Sequence, residues 1–477
     1  MYTKNSDWRT LLKAGLVASV LAAVCAGLPN LTFGQTGPRL TPLFTGDLSA
    51  LGPIEAAPLH ANVQGVEHVL IASTNGTVVA VEPKTGEAVW RVSLPRPQGE
   101  GARLLATPAR AGDYLVLAYV TSRAGVRMRH LVSVVNLRTG TVAGEFPTLQ
   151  LDAQKPAMDG GVVAFNPPTA LSRAALAAAG GGSGLGYVYV SFGNSQDIQP
   201  WHGWIFELDL EAWRSEGTTK AISAVLLTTP ERDCGKAGIR GGTKMICGAG
   251  VWNPAGPQVV DTPNGYELLV ATGNGELDLG RKDYAQSVLR LRQGLNFDPE
   301  CDAAACANFD PLSPSEQCMA SCRNLAIPRL LPDDPPLRLS TGRCDGRTFL
   351  ECLALNDWDL GANGPIKIRL PSGQEVIVQP GKDGGLYMFD AQHMGRLYDR
   401  EQIVGLCGRC GRSLQRQALV GDDLPKSTAG SRGGSTNDRD GTHLHAQPLA
   451  AGRRGGNGDR GYAGRAKIRA GLASAPR

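Results

Sequence analysis

The chain has 477 residues, of which 61 are Gly and 31 are Pro, with 19% charged residues and a formal net charge of +4. This balance excludes a helical bundle, and glycines without a period of three exclude a collagen-like rod; what remains is a chain of many short strands joined by turns. The length suits two or three ordinary domains or one large all-β domain.

Residues 1–34 read as a signal peptide. Arg9 and Lys13 lead into the apolar run Ala14–Leu28, "AGLVASVLAAVCAGL", which is too short and too rich in small residues for a membrane span. Cleavage is expected after Ala26 or Gly34. Cys25 follows Val24, where lipid attachment wants a small residue, and there is no twin-arginine pair. No later segment is apolar enough to cross a bilayer. The mature chain, with no membrane span, is therefore expected in the periplasm or outside the cell.

A repeated unit begins near His60. "VLIAS" (Val69–Ser73) and "TVVAVE" (Thr77–Glu82) are β-prone and are separated by the turn residues of "TNG". "PKTG" (Pro83–Gly86) is a second tight turn, and "EAVWRVSL" (Glu87–Leu94) alternates as a third strand. The pattern returns in "YLVLAYV" (Tyr114–Val120) with "HLVSVVNLRTGTVAGEF" (His130–Phe146), and in "GYVYVSFGNS" (Gly186–Ser195) with "GWIFELDLEAW" (Gly203–Trp213). It returns again in "GYELLVATGNG" (Gly265–Gly275) with "SVLRLRQG" (Ser287–Gly294), and in "QEVIVQPGKDGGLYMFDAQHMGRLYD" (Gln374–Asp399). Repeats at such spacing mark a solenoid, a propeller or an array, and four-stranded units argue for a propeller.

Of the 11 cysteines, ten lie beyond the signal segment. Cys234 and Cys247 bracket a short loop, while Cys301, Cys306, Cys318, Cys322, Cys344 and Cys352 crowd one Pro-rich stretch. An even, clustered set in an exported chain reads as disulfides. Zinc is the weaker reading, because the paired spacings are wider than a zinc knuckle and no histidine lies near. The insertion, 301–355, is expected to protrude from one face and to depend on its crosslinks for order. Cys407 and Cys410 have the C-x2-C spacing, but Gly411 stands where haem attachment needs histidine.

"VVAVEPKTGEAVW" resembles the repeat of the pyrroloquinoline-quinone (PQQ) type β-propellers, the quinoprotein alcohol dehydrogenase-like superfamily. Tyr187–Asp209, Gly250–Asp278 and Asn356–Asp390 resemble successive blades of it. The resemblance implies an all-β fold, a PQQ-type β-propeller of about five to seven four-stranded blades over residues 35–408. It further implies, for a working member, PQQ with Ca²⁺ held by acidic and amide oxygens, a catalytic Asp and a basic residue beside the quinone. The acidic loop "NDWDLGANGP" resembles the family's axial loop, which makes Asp357 and Asp359 candidates for the catalytic base and for Ca²⁺ ligands. Lys382, in "GKDGG", and Trp204 are the candidates for holding the cofactor. Each also has an ordinary role open to it, Lys382 in a turn and Trp204, with Trp201 and His202, in locking one blade against the next. Asn194, Asp197 and Asn274 offer further oxygens, though turns select the same residue types. The adjacent-cysteine pair of many family members is missing.

Residues 409–477 hold 11 Arg and 2 Lys against 5 Asp, with no Glu and one aromatic, Tyr462. This Gly/Arg-rich tail is expected to be disordered. Its abrupt onset partway through a blade also fits out-of-frame translation. A nucleic-acid tether is the minor reading, which export argues against. The expected function is an exported binding or scaffold module for a protein or small-molecule ligand, with no nucleic acid; the alternative is a PQQ/Ca²⁺-dependent dehydrogenase of an alcohol or sugar.

Overall fold

In the computed structural model, residues 51–182, 184–194, 201–232, 234, 238–239, 243–244, 247–334 and 344–403 are described. The signal segment, Asp197, Cys407, Cys410 and the Gly/Arg-rich tail lie outside them.

The all-β expectation holds. Among the described residues, five antiparallel sheets of four to six strands follow one another along the chain, each built on four strand positions of a blade, with three two-stranded sheets besides. The first runs Leu59–Val63, Val66–Ala72, Thr77–Val81 and Ala88–Ser93 in sequence order. The second is centred on Tyr114–Arg123 and Val126–Asn136, with split edge strands on both sides. The third is centred on Tyr187–Asn194, Trp204–Asp209 and Ile222–Leu227. The fourth comprises Gln258–Thr262, Gly265–Ala271, Val288–Leu291 and Leu325–Ala326, and the fifth Ile366–Arg369, Glu375–Pro380, Gly385–Asp390 and Leu397–Gln402.

A side-chain cap recurs after the third strand of these units. Glu82 Oε2 accepts the N–H groups of Lys84 and Thr85 at 2.9 and 2.5 Å. Asn136 Oδ1 accepts those of Arg138 and Thr139 at 2.9 and 3.3 Å, and Asp390 Oδ1 those of Gln392 and His393 at 2.7 and 3.2 Å. Such side chains replace a backbone acceptor and so fix where the strand ends. In the third sheet the same position, Asp209, instead caps a helix, Leu210–Glu216, by accepting Ala212 N–H at 3.0 Å. The helix forms there because Trp213 can bury itself, edge-on to Phe146 at 5.5 Å and donating to Pro147 O at 3.0 Å.

The sheets pack face to face, and a separate core fills each gap. Leu70, Val78, Leu115 and Val135 fill the first; Val116, Val134, Val190 and Phe206 fill the second. Tyr189, Ile205, Leu268 and Leu289 fill the third, and Ala271, Val288, Ile377 and Phe389 the fourth. Parallel faces of alternating apolar residues can satisfy both neighbours at once.

The cysteine pairs are Cys234–Cys247, Cys301–Cys322, Cys306–Cys318 and Cys344–Cys352. The cysteine-rich stretch was expected to stand out from one face, yet part of it is core. Its helices, Glu316–Ser321 and Phe349–Leu355, place Met319, Leu350 and Leu353 in the third gap beside Cys322. Crosslinks supply order, and these few apolar residues then attach the lobe to the sheets.

Candidate functional site

The acidic loop crosses from the helix Phe349–Leu355 to the first strand of the fifth sheet. Asp357 takes a left-handed backbone, φ 53°, which Asp tolerates better than most residues. This turn leaves Asp357 exposed and lets Asp359 point inward, where it is buried. Gln286, from the fourth sheet, holds the loop by accepting Leu360 N–H at 2.7 Å and donating to Trp358 O at 3.3 Å. Gln379, from the fifth, donates to Leu360 O at 2.8 Å.

Three of the expected residues meet. Lys382 Nζ donates to Asp359 Oδ2, to Asp357 Oδ2 at 3.3 Å and to Asp357 O at 3.2 Å. Asn274, an expected oxygen donor, contributes its backbone N–H to Asp359 Oδ1. Its side-chain oxygen accepts Gly275 N–H at 2.9 Å. Burial pushes the Asp359 carboxyl above its ordinary range, against the pull of Lys382. Burial also works against the charge on Lys382, but Asp359 and then Asp357 outweigh it and raise the ammonium's pKa.

Lys382 also lies 4.9 Å from the ring centre of half-buried Trp252, and the guanidinium of Arg173 lies 5.3 Å from the same ring. Neither Trp252 nor Arg173 was expected from the sequence. The signal for Trp252 was slight, an indole set among glycines in "GAGVWNPAG". Those glycines matter because a Cβ at Gly273 would stand 2.7 Å from both Asp359 Oδ1 and Trp252 Nε1, and one at Gly193 would stand 2.9 Å from Trp252 Cβ. Only a bare backbone lets the indole and the carboxylate share this space.

Trp204 is placed elsewhere. It is 3% exposed and packs on Phe165 and Phe206 in the second gap. It also lines a cavity of about 280 Å³ with Asn194, Trp201, His202 and Arg232. Gly193 belongs to this cavity and to the wall under Trp252. His202 Nδ1 sits 2.8 Å from Thr229 O, and burial pushes its imidazole down to about 4.

No family model matches the chain, and no curated protein does. Solved structures similar to it include the quinohemoprotein alcohol dehydrogenase from Comamonas testosteroni, at 13% identity and a TM-score of 0.43, over 76% of this chain and 45% of that one. Quinohemoprotein alcohol dehydrogenase ADHIIG from Pseudomonas putida HK5 is similar at 14% identity and a TM-score of 0.41, over 73% and 42% of the two chains. The chain thus spans less than half the length of either.

Proposed function

We propose that the chain is an exported binding module of the PQQ-type propeller class, and that its ligand is a planar, anionic quinone held against Trp252 by Lys382 and Arg173. The carrying observation is the pair of cations over the ring of one half-buried indole, at 4.9 and 5.3 Å, which a flat anion would draw off the ring face as it stacks. An aromatic face receives a flat ring, and two cations receive its carboxylates. Asp357 and Asp359 hold Lys382 in place for this role.

PQQ fits these groups. A calcium ion on Asp357 and Asp359 would have to displace Lys382, whose ammonium already donates to both carboxylates. Lys382 is the cation of this acidic pair.

One observation favours the second reading, a dehydrogenase of an alcohol or sugar. Asp359 is a buried carboxylate with a raised pKa, the condition under which a carboxylate serves as a general base. A bound quinone would supply the acceptor for the two electrons of such an oxidation. Asp359 would take the hydroxyl proton, and Lys382 would keep the carboxylate oriented.

Calorimetry of PQQ into the full chain tests both readings. Binding is expected with or without CaCl2, weakened roughly tenfold to a hundredfold by Lys382→Met or Trp252→Leu. No heat from a folded chain, or equal affinity in both variants, would sink the binding reading. The dehydrogenase reading needs dye-linked alcohol oxidation that Asp359→Asn removes while PQQ still binds.

A further inference from the structure

A second acidic group lies away from Lys382, between the third and fourth sheets. Glu231 follows the strand Ile222–Leu227, Glu276 precedes the small hairpin Leu277–Asp278/Asp283–Tyr284, and Asp283 opens its second strand. Their relative exposures are 1%, 4% and 0%. One carboxylate oxygen from each lies within 4.8 Å of the other two.

Three backbone contacts bring these segments together. Glu276 N–H donates to Cys247 O at 2.9 Å, Tyr284 N–H to Thr228 O at 3.0 Å, and Ala285 N–H to Glu276 O at 2.9 Å. The disulfide Cys234–Cys247 closes the loop beside Glu231. Arg281 pairs with both oxygens of Glu231, each of which keeps a second acceptor site. No such partner serves Asp283: among the described residues, neither of its oxygens has a hydrogen-bond partner, although the side chain is fully buried. Its surroundings add negative charge from Glu276, Asp278 and Asp159, against Arg281 alone.

A buried carboxylate in that position must take either a proton or a cation. Burial and the neighbouring charge of Glu276 push the Asp283 carboxyl up to about 8 while no cation is present, and no hydrogen bond to Glu231 or Glu276 settles a proton there. Three oxygens from two chain segments suit a cation instead. A hard divalent ion holds oxygens at about 2.4 Å, so two of its ligands stand at most about 4.8 Å apart. Of the three, Glu276 also lines a second cavity, of about 210 Å³, with Asp278, Arg281, Asp310 and Glu351 among its walls. Glu351 is 1% exposed, and its Oε1 has no hydrogen-bond partner among the described residues.

We propose that Glu231, Glu276 and Asp283 form a binding site for a divalent cation of the calcium class, separate from the Asp359–Lys382 pair. The ion ties the Cys234–Cys247 loop to the 276–284 hairpin and thereby fastens the third sheet to the fourth. Calcium suits it better than zinc, because all three donors are carboxylate oxygens and the sulfurs beside them are locked in a disulfide.

The test is calorimetry of CaCl2 into the full chain freed of metal by EDTA, with thermal unfolding beside it. One calcium per chain is expected, with a higher Tm in calcium. Asp283→Asn should lower the affinity at least tenfold, and so should Glu276→Gln, which serves if the first variant does not fold. Asp359→Asn should bind as the parent does. The proposal fails if the folded parent binds no calcium, if Asp283→Asn and Glu276→Gln bind as tightly as the parent, or if Asp359→Asn alone removes the ion.

Discussion

Trp90, the last large residue of the opening repeat, fastens one repeat to the next. Its indole donates to Leu137 O at 3.2 Å, and its ring lies where a Cβ on Gly140 would be, 2.3 Å from Trp90 Cγ. Gly140 has φ 65°, so the turn "NLRTG" needs glycine both for its backbone and for the room it gives the neighbouring sheet. His130 carries a similar burden in the next gap. It is buried edge-on to Phe165 and Phe192, at 5.7 and 4.9 Å, and burial pushes its imidazole down to about 4. A folded pKa below the unfolded value of about 6.5 means stability that is present above pH 6.5 and lost as the pH falls toward 4. Urea unfolding at pH 7 and pH 4 should therefore show a loss that His130→Gln reduces, by at most about 3 kcal/mol. An equal loss in both proteins would refute this role.

Among the elements, those set by local chemistry were legible in the sequence. Glu82, Asn136 and Asp390 end their strands with the same cap, and "EPKTG", "NLRTG" and "DAQHMG" are visibly variants of one turn. The helix Leu210–Glu216 was not legible, because Asp209 can cap a turn or a helix. The choice falls to Trp213, whose burial partners sit in another sheet. Asp209→Ala should cost about 1 kcal/mol and Trp213→Ala about 3–5 kcal/mol, measured by urea unfolding. If Trp213→Ala cost no more than Asp209→Ala, capping rather than burial would hold the helix. The candidate site divides the same way. Asp357, Asp359 and Lys382 stand out because an acidic turn and a repeat turn carry them. Trp252, Arg173 and the carboxylates of the proposed cation site come together only when separate sheets pack, and no short spacing announces them.

At the scale of the whole described molecule, the four cores in series make each sheet answerable to its neighbours, and the cysteine-rich lobe to the third gap. Opening Cys301–Cys322 by double substitution to Ser should cost about 2–5 kcal/mol. That loss should be read in the β-sheet signal and not in the lobe alone; a change confined to helical signal would show that the lobe is independent. The fourth sheet gives this coupling a further meaning. Its outer strand, Leu325–Ala326, pairs with Val288–Leu291 only after the chain has passed through both Cys301–Cys322 and Cys306–Cys318. The order of assembly is thus also an order of oxidation. A chain held reduced is therefore expected to leave the Val288–Leu291 edge without its last strand, a template for pairing with other molecules; light scattering of the reduced and oxidised chains would check this.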